Sequence, residues 1–284
     1  MPTYLKGRST PAAVAGKNGH SLISSRKFRE LYAALLRCEM LEERLAPFSA
    51  NGTQSAIAAG VSLTLDLERE DTVVLTPQTL AAGLVKGVPV HALLNRGNGA
   101  GANGSAFIFG DVNAFKPASS AVSAQAGLAT GAALANKIAN NRKVALAFME
   151  GGTAALKECK EALELASKHK LPVLYVVDAD LKRSDEKLLA QLAELLPVIT
   201  VEAQDVIAIY RVAQESIARA RDGGPTLIVC VPYDPEANSP NAVANMERYL
   251  IGKKLFETRW KDEAASQFNA ELDSACLRHA DPLA

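Results

Sequence analysis

Aromatic side chains are scarce in this chain, 5% of 284 residues with a single tryptophan. That leaves little stacking surface for nucleic-acid bases, and the abundant alanine points instead to many close helix contacts. No charge of one sign dominates, since 31 basic residues face 31 acidic ones. A balanced chain carries no electrostatic footprint for nucleic acid or an anionic membrane. No apolar run approaches the roughly 18 residues of a membrane span. The opening MPTYLKGRSTPAAVAG holds no apolar signal-peptide segment. The four cysteines, Cys38, Cys159, Cys230 and Cys276, show no CxxC spacing. The expectation is reduced thiols in a cytoplasmic protein, not disulfides or a metal site, and the sequon at Asn51-Gly52-Thr53 would then go unused. Paired carboxylates, Ser–His–Asp sets and metal clusters are absent. His20, His91, His169 and His279 fall in no acid–base constellation, so no catalytic residue is expected.

What is present is the material of a large core, with 48% of residues hydrophobic. Residues 1–24, rich in Gly, Ser, Pro and Ala, read as a flexible arm. Residues 25–284 read as one domain with a helical C-terminal tail. Ser24 or Ser25 could cap a first helix, along which Phe28, Leu31, Leu35, Leu36 and Met40 recur at helical spacing. Helical stretches are expected over residues 55–67, at TLAAGLVKG and at VHALLNR, with a short strand at Asp71–Leu75 between the first two. A small-residue helix, SAQAGLATGAALANKIANN, follows a glycine-rich loop. Its Gly127 and Gly131 stand four apart, which would let another backbone approach closely. From there strand and helix alternate: KVALAFM, TAALKECKEALELASKHK, LPVLYVVDAD, KLLAQLAELL, VITVEA, VIAIYRVAQESIARARDG and PTLIVCVPY. Continuous apolar strands between amphipathic helices predict an α/β fold, a mostly parallel sheet with helices on both faces.

Two motifs invite a ligand. Gly99-Ala-Gly101-Ala-Asn-Gly104 satisfies GxGxxG. A dinucleotide fingerprint needs a strand before it and a helix after it, whereas here a helix precedes and the strand-like AFIF follows. A flexible or cofactor-facing loop fits better. The second lies between Lys143 and Lys182. One strand ends before the turn Glu150-Gly151-Gly152 and the next ends at Asp178-Ala179-Asp180. Two parallel strand ends therefore meet at the carboxyl edge, where open α/β sheets place ligands. The turn is a candidate phosphate site, with Asp180 as a possible metal ligand. An ordinary strand–turn–helix with glycines for tightness remains the alternative.

The order of elements resembles the alpha subunit of thiamine-diphosphate-dependent 2-oxo acid dehydrogenases of the pyruvate dehydrogenase type. The stretch from SAQAGLATG to VVDADLK follows the family's Gly/Ala-rich helix, strand and GDGxxNxGxxxEAxNxAxxxxLPVIFVxENN. QDVIAIYRVAQESIARARDGGPTLIVCVPY follows its DxxAVYxxxxxAxxxARxGxGPTLIExxxY, and TQSAIAAGVSLTL follows its GQEAxxxG segment. The resemblance covers about residues 25 to 280 and implies a thiamine-diphosphate-binding fold. In the family, cofactor and Mg²⁺ lie between alpha and beta chains, and the alpha chain grips the diphosphate. The cofactor supplies the carbanion chemistry of decarboxylation and acyl transfer to a lipoyl arm.

The departures fall on functional positions. The family's metal-holding Asp and second Asn match Gly151 and Asp180, the first glycine of its GDG is Glu150, and a nearby asparagine is Ala155. Mg²⁺ needs oxygen ligands in near-octahedral geometry, and Gly151 offers no side chain. A Tyr-Arg-x-His segment matches Pro77-Gln78-Thr79-Leu80. Gln78 lacks arginine's cationic fork, and Leu80 can neither move a proton nor stabilise charge. A further family histidine matches Phe107. The resemblance therefore implies a remnant site at Gly151, Gly152 and Asp180, with Asp180 at most a weak metal ligand. Thiamine diphosphate and Mg²⁺ would bind weakly or not at all. The implied role is that of a non-catalytic subunit beside a beta-type chain, or a homo-oligomer. The rival expectation is an active oxidoreductase component whose metal is held by Asp180 and Glu150.

Overall fold

The computed structural model describes residues 23–45, 54–99, 107–109, 116–117, 122–149, 152–178, 186–231 and 241–280. The expected arm lies outside these residues except for its end, where Ile23 is buried against the core. Ser24 then caps α1 (Ser25–Leu45), its hydroxyl accepting from the Lys27 amide at 3.2 Å. After α1 come α2 (Gln54–Thr64), β1 (Thr72–Leu75), a 3-10 turn (Pro77–Thr79), α3 (Ala82–Val85) and α4 (Val90–Gly99). Two short strands, β2 (Phe107–Phe109) and β3 (Lys116–Pro117), precede α5 (Val122–Ile138) and β4 (Ala145–Met149). Then follow α6 (Gly152–Glu158), α7 (Lys160–Lys168), β5 (Val173–Asp178), α8 (Glu186–Ala193), β6 (Val198–Glu202), α9 (Val206–Arg221) and β7 (Thr226–Val231). The tail forms α10 (Ala242–Gly252) and α11 (Thr258–Ala280).

The strands make one sheet in the order β3-β2-β1-β4-β5-β7-β6. β1, β4, β5, β7 and β6 run parallel. β2 and β3 add an antiparallel margin. The α/β, mostly parallel architecture expected from the alternation is therefore present, and the antiparallel margin qualifies it. Side chains alternate faces with period two along each strand. Leu146, Phe148, Leu174, Val176 and Ile228 pack on one face with α1, α2, α9, α10 and α11. Ala145, Ala147, Val173, Tyr175 and Val229 pack on the other with α5, α7 and α8. Both sides are sealed, which explains why these strands read as unbroken apolar runs.

The helix expected over TAALKECKEALELASKHK divides at Cys159. Its backbone (φ −90°, ψ 2°) leaves the helical region before α7 restarts. The helix expected at TLAAGLVKG begins as the 3-10 turn, because Thr76 and Thr79 form a capping box.

Candidate functional site at the carboxyl edge

The carboxyl ends of β1, β4, β5 and β7 converge over α2. Thr76, Met149, Asp178 and Cys230 line a cavity there with Gln78 and Ala56. Its volume is about 20 Å³, room for about one water molecule.

The segment after β1 closes on itself. The Thr76 amide donates to Thr79 Oγ1 at 3.0 Å, and the Thr79 amide donates to Thr76 Oγ1 at 3.3 Å. The two hydroxyls also share a hydrogen bond of 3.1 Å. Both threonines are buried, so their polar groups are spent within the turn. Leu80 follows, 2% exposed, as part of the apolar core. Burial, and then the neighbouring Asp178 carboxylate, push the Cys230 thiol up to about 12. A thiol so placed is no nucleophile at neutral pH.

β2 brings Phe107 to this edge, because Leu75 at the end of β1 pairs with it across the antiparallel register. The Pro77–Leu80 segment, Phe107, Asp178 and the start of α6 at Gly152 thus gather at one end of the sheet, although they span more than a third of the sequence. Gly151 and Asp180, like Glu150, lie outside the described residues, and Ala155 lies on α6. The GxGxxG string starts at Gly99, where α4 ends; its remaining residues lie outside the described residues, and β2 begins at Phe107. The strand–loop–helix context of a dinucleotide site is not formed. His91 and His169 are exposed, on α4 and at the end of α7.

Three participants escaped the sequence reading: the Thr76–Thr79 pair, Asp178 as a cavity wall, and Cys230. Thr-x-x-Thr is a legible cap signal. Nothing local marks Cys230, which gains its place only through the pairing of β7 with β5. Among the described residues no group of three His, Cys, Asp or Glu side chains could hold a metal ion. Two wider clefts stand apart from this cavity, one at the carboxyl end of the outermost strand and one at the opposite edge. One of about 240 Å³ opens beside the end of β6 and α10. There burial, and then Asp205, raise the Glu202 carboxyl above its usual range. The other, of about 260 Å³, opens at the amino edge of the sheet.

The covered, mostly parallel sheet defines an α/β protein of the open-sheet class, in which ligands characteristically sit at the carboxyl edge. The family model for the dehydrogenase E1 component matches residues 37–236, well over half of the chain. The chain belongs to the dehydrogenase E1 component family. It is similar to the pyruvate dehydrogenase E1 component subunit alpha-3 of rice chloroplasts, 28% identical over 262 residues, with 80% of this chain and 60% of that protein covered. It is also similar to the pyruvate dehydrogenase E1 component subunit alpha of Acholeplasma laidlawii, 35% identical over 188 residues, covering 55% and 53%. A solved structure from Mycobacterium smegmatis, assigned as a thiamin diphosphate-dependent enzyme, overlaps 64% of this chain and 32% of its own at 16% identity, TM-score 0.44. The chain spans about three-fifths to two-thirds of the length of the first curated relatives it matches. Among the described residues no helix is long and apolar enough to cross a membrane.

Proposed function

We propose that this chain is an alpha-type subunit of a 2-oxo acid dehydrogenase assembly whose own coenzyme site is degenerate. It acts by association with a beta-type chain, or with another copy of itself, and not by catalysis. The observation that carries this reading is the Thr76–Leu80 segment. The position that matches the family's histidine is a core leucine, and the polar groups beside it are paired with each other. Gly151, with no side chain where a metal-holding aspartate is expected, supports it from the sequence. The described residues do not fit a magnesium diphosphate. Thr76 and Thr79 are committed to their turn, and Asp178 alone is one carboxylate where an octahedral ion wants several oxygens. The four cysteines are free thiols, three of them buried, which supports placement in a reducing, cytoplasmic compartment.

Calorimetry tests the reading. The chain is titrated with thiamine diphosphate and Mg²⁺, alone and with a beta-type chain of the family. The expected outcome is association of the two chains without metal-dependent coenzyme binding by this one. Metal-dependent coenzyme binding that Asp180→Ala abolishes would replace it with the rival reading, a working subunit with altered ligands. Asp178, which stands at the same edge two residues before Asp180, favours that rival.

A further inference from the structure

We propose that the cleft beside the end of β6 and α10 is the docking site of this chain's own N-terminal segment, residues 1–22, with Lys17 as the anchoring cation. The cleft, of about 240 Å³, lies between the turn that follows β6, the start of α9 and one face of α10. Docked there, the segment straps α10 to the start of α9.

The cleft itself is acidic. Glu202 and Asp205 stand in its wall, both exposed, and no lysine, arginine or histidine lines it. Lys253 lies 5.7 Å over the Tyr249 ring, outside the lining. Among the described residues no cation pairs with either carboxylate. One oxygen of Asp205 caps α9, accepting from the Ala208 amide at 2.9 Å. The start of α9 contributes roughly half a positive charge, which two carboxylates outweigh. Burial and the Asp205 charge both disfavour ionised Glu202, and a cation held between the two acids offsets the second of these. Beneath them the lining is apolar, with Val206 and Met246 buried.

Charge and position select the occupant. Residues 1–22 hold Lys6, Arg8, Lys17 and His20 and no aspartate or glutamate, in a chain whose charges otherwise balance. The described structure begins at Ile23, buried in the core just before α1. Five residues on, the Phe28 ring lies 5.3 Å from the ring of Tyr249, and Tyr249 lines the cleft. Ile23 to Phe28 spans about 8 Å at a helical rise. Lys17 precedes Ile23 by six residues, which reach about 20 Å when extended. The cleft is therefore within range of Lys17. Exposed ion pairs are individually weak, but the tether holds the segment at an effective concentration on the order of millimolar. No residue of this cleft lines the coenzyme-edge cavity, so failure here would leave the proposed function untouched.

The test is zero-length carbodiimide cross-linking of the full chain at low salt, read by peptide mass spectrometry. Amide links from Lys17 to Glu202 or Asp205 are expected, fading as salt at about 1 M screens the charges. Mixing unlabelled with isotope-labelled chains separates links within one chain from links between copies. Limited trypsin digestion reads the same contact independently. Glu202→Gln with Asp205→Asn is expected to speed cleavage after Lys17 by about threefold or more, since cleavage tracks the undocked population. Asparagine keeps the capping oxygen of α9, so the thermal melt is expected to hold. Should the double variant fail to fold, Glu202→Gln alone is expected to give a smaller increase. Absence of links between this segment and the cleft, links between copies only, or cleavage indifferent to the loss of charge would each overturn the proposal.

Discussion

Asp71 is fully buried at the foot of β1, and its carboxylate is entirely engaged. It accepts from the amides of Val144 and Glu68, each at 2.7 Å, and from both terminal nitrogens of Arg221 at 3.2 and 2.5 Å. Arg221 also donates to the Arg142 carbonyl at 2.8 Å. The feet of β1 and β4 are thereby pinned to the end of α9. Removing one partner of a buried pair leaves the other charge uncompensated, which costs about 3–5 kcal/mol. The expected outcome for Asp71→Ala is a loss of that size in urea unfolding, with the slope unchanged. The sequence showed Asp71 as the start of a strand. Its arginine lies 150 residues later, and no local pattern joins them.

The packing of α2 on α3 depends on a missing atom. A Cβ built on Gly60 would stand 2.9 Å from Ala82 Cβ, closer than real Cβ atoms approach. Alanine is the better helix former by roughly 0.8–1 kcal/mol, but overpacking of this kind costs about 1–3 kcal/mol. Gly60→Ala is therefore expected to destabilise. Adding Ala82→Gly is expected to recover more of the loss than the two single changes predict by addition, a coupling that a double-mutant cycle reads directly. Element existence was well legible here, since every strand from Lys143 onward was marked by an apolar run. Boundaries were less so. The break at Cys159 and the two-residue strand β3 carry no periodic signal, because a few residues cannot show a period.

At the scale of the whole molecule, Asp66 ties the first helix to α9. It binds Lys27 at 2.9 Å, Gln214 at 3.3 Å and the Tyr210 hydroxyl. Burial alone would raise the Asp66 carboxyl. The donors, Tyr210 first and Lys27 next, outweigh burial and hold it below the usual carboxylate range. A group depressed in the folded state contributes stability above its unfolded pKa of about 3.9 and loses it as pH falls through the folded value. Asp66→Asn is thus expected to flatten the acid limb of stability below about pH 4, read as the urea midpoint against pH. The contacts cross from the N-terminal helix to the last third of the chain, so acid would loosen the sheet's helical cover as a unit.

The sequence alone determined the α/β alternation, the covered sheet and the family resemblance, because apolar periodicity and element order are local properties. Through that resemblance it also raised the expectation that Gly151 stands where the family has an aspartate and Leu80 where it has a histidine. Only the tertiary structure decided that Leu75 and Phe107 pair, that Thr76 and Thr79 spend their hydroxyls on each other, and that Leu80 lies in the core. Those outcomes depend on strand register and on which helix covers which face, interactions between residues far apart in the chain that no short window of sequence contains.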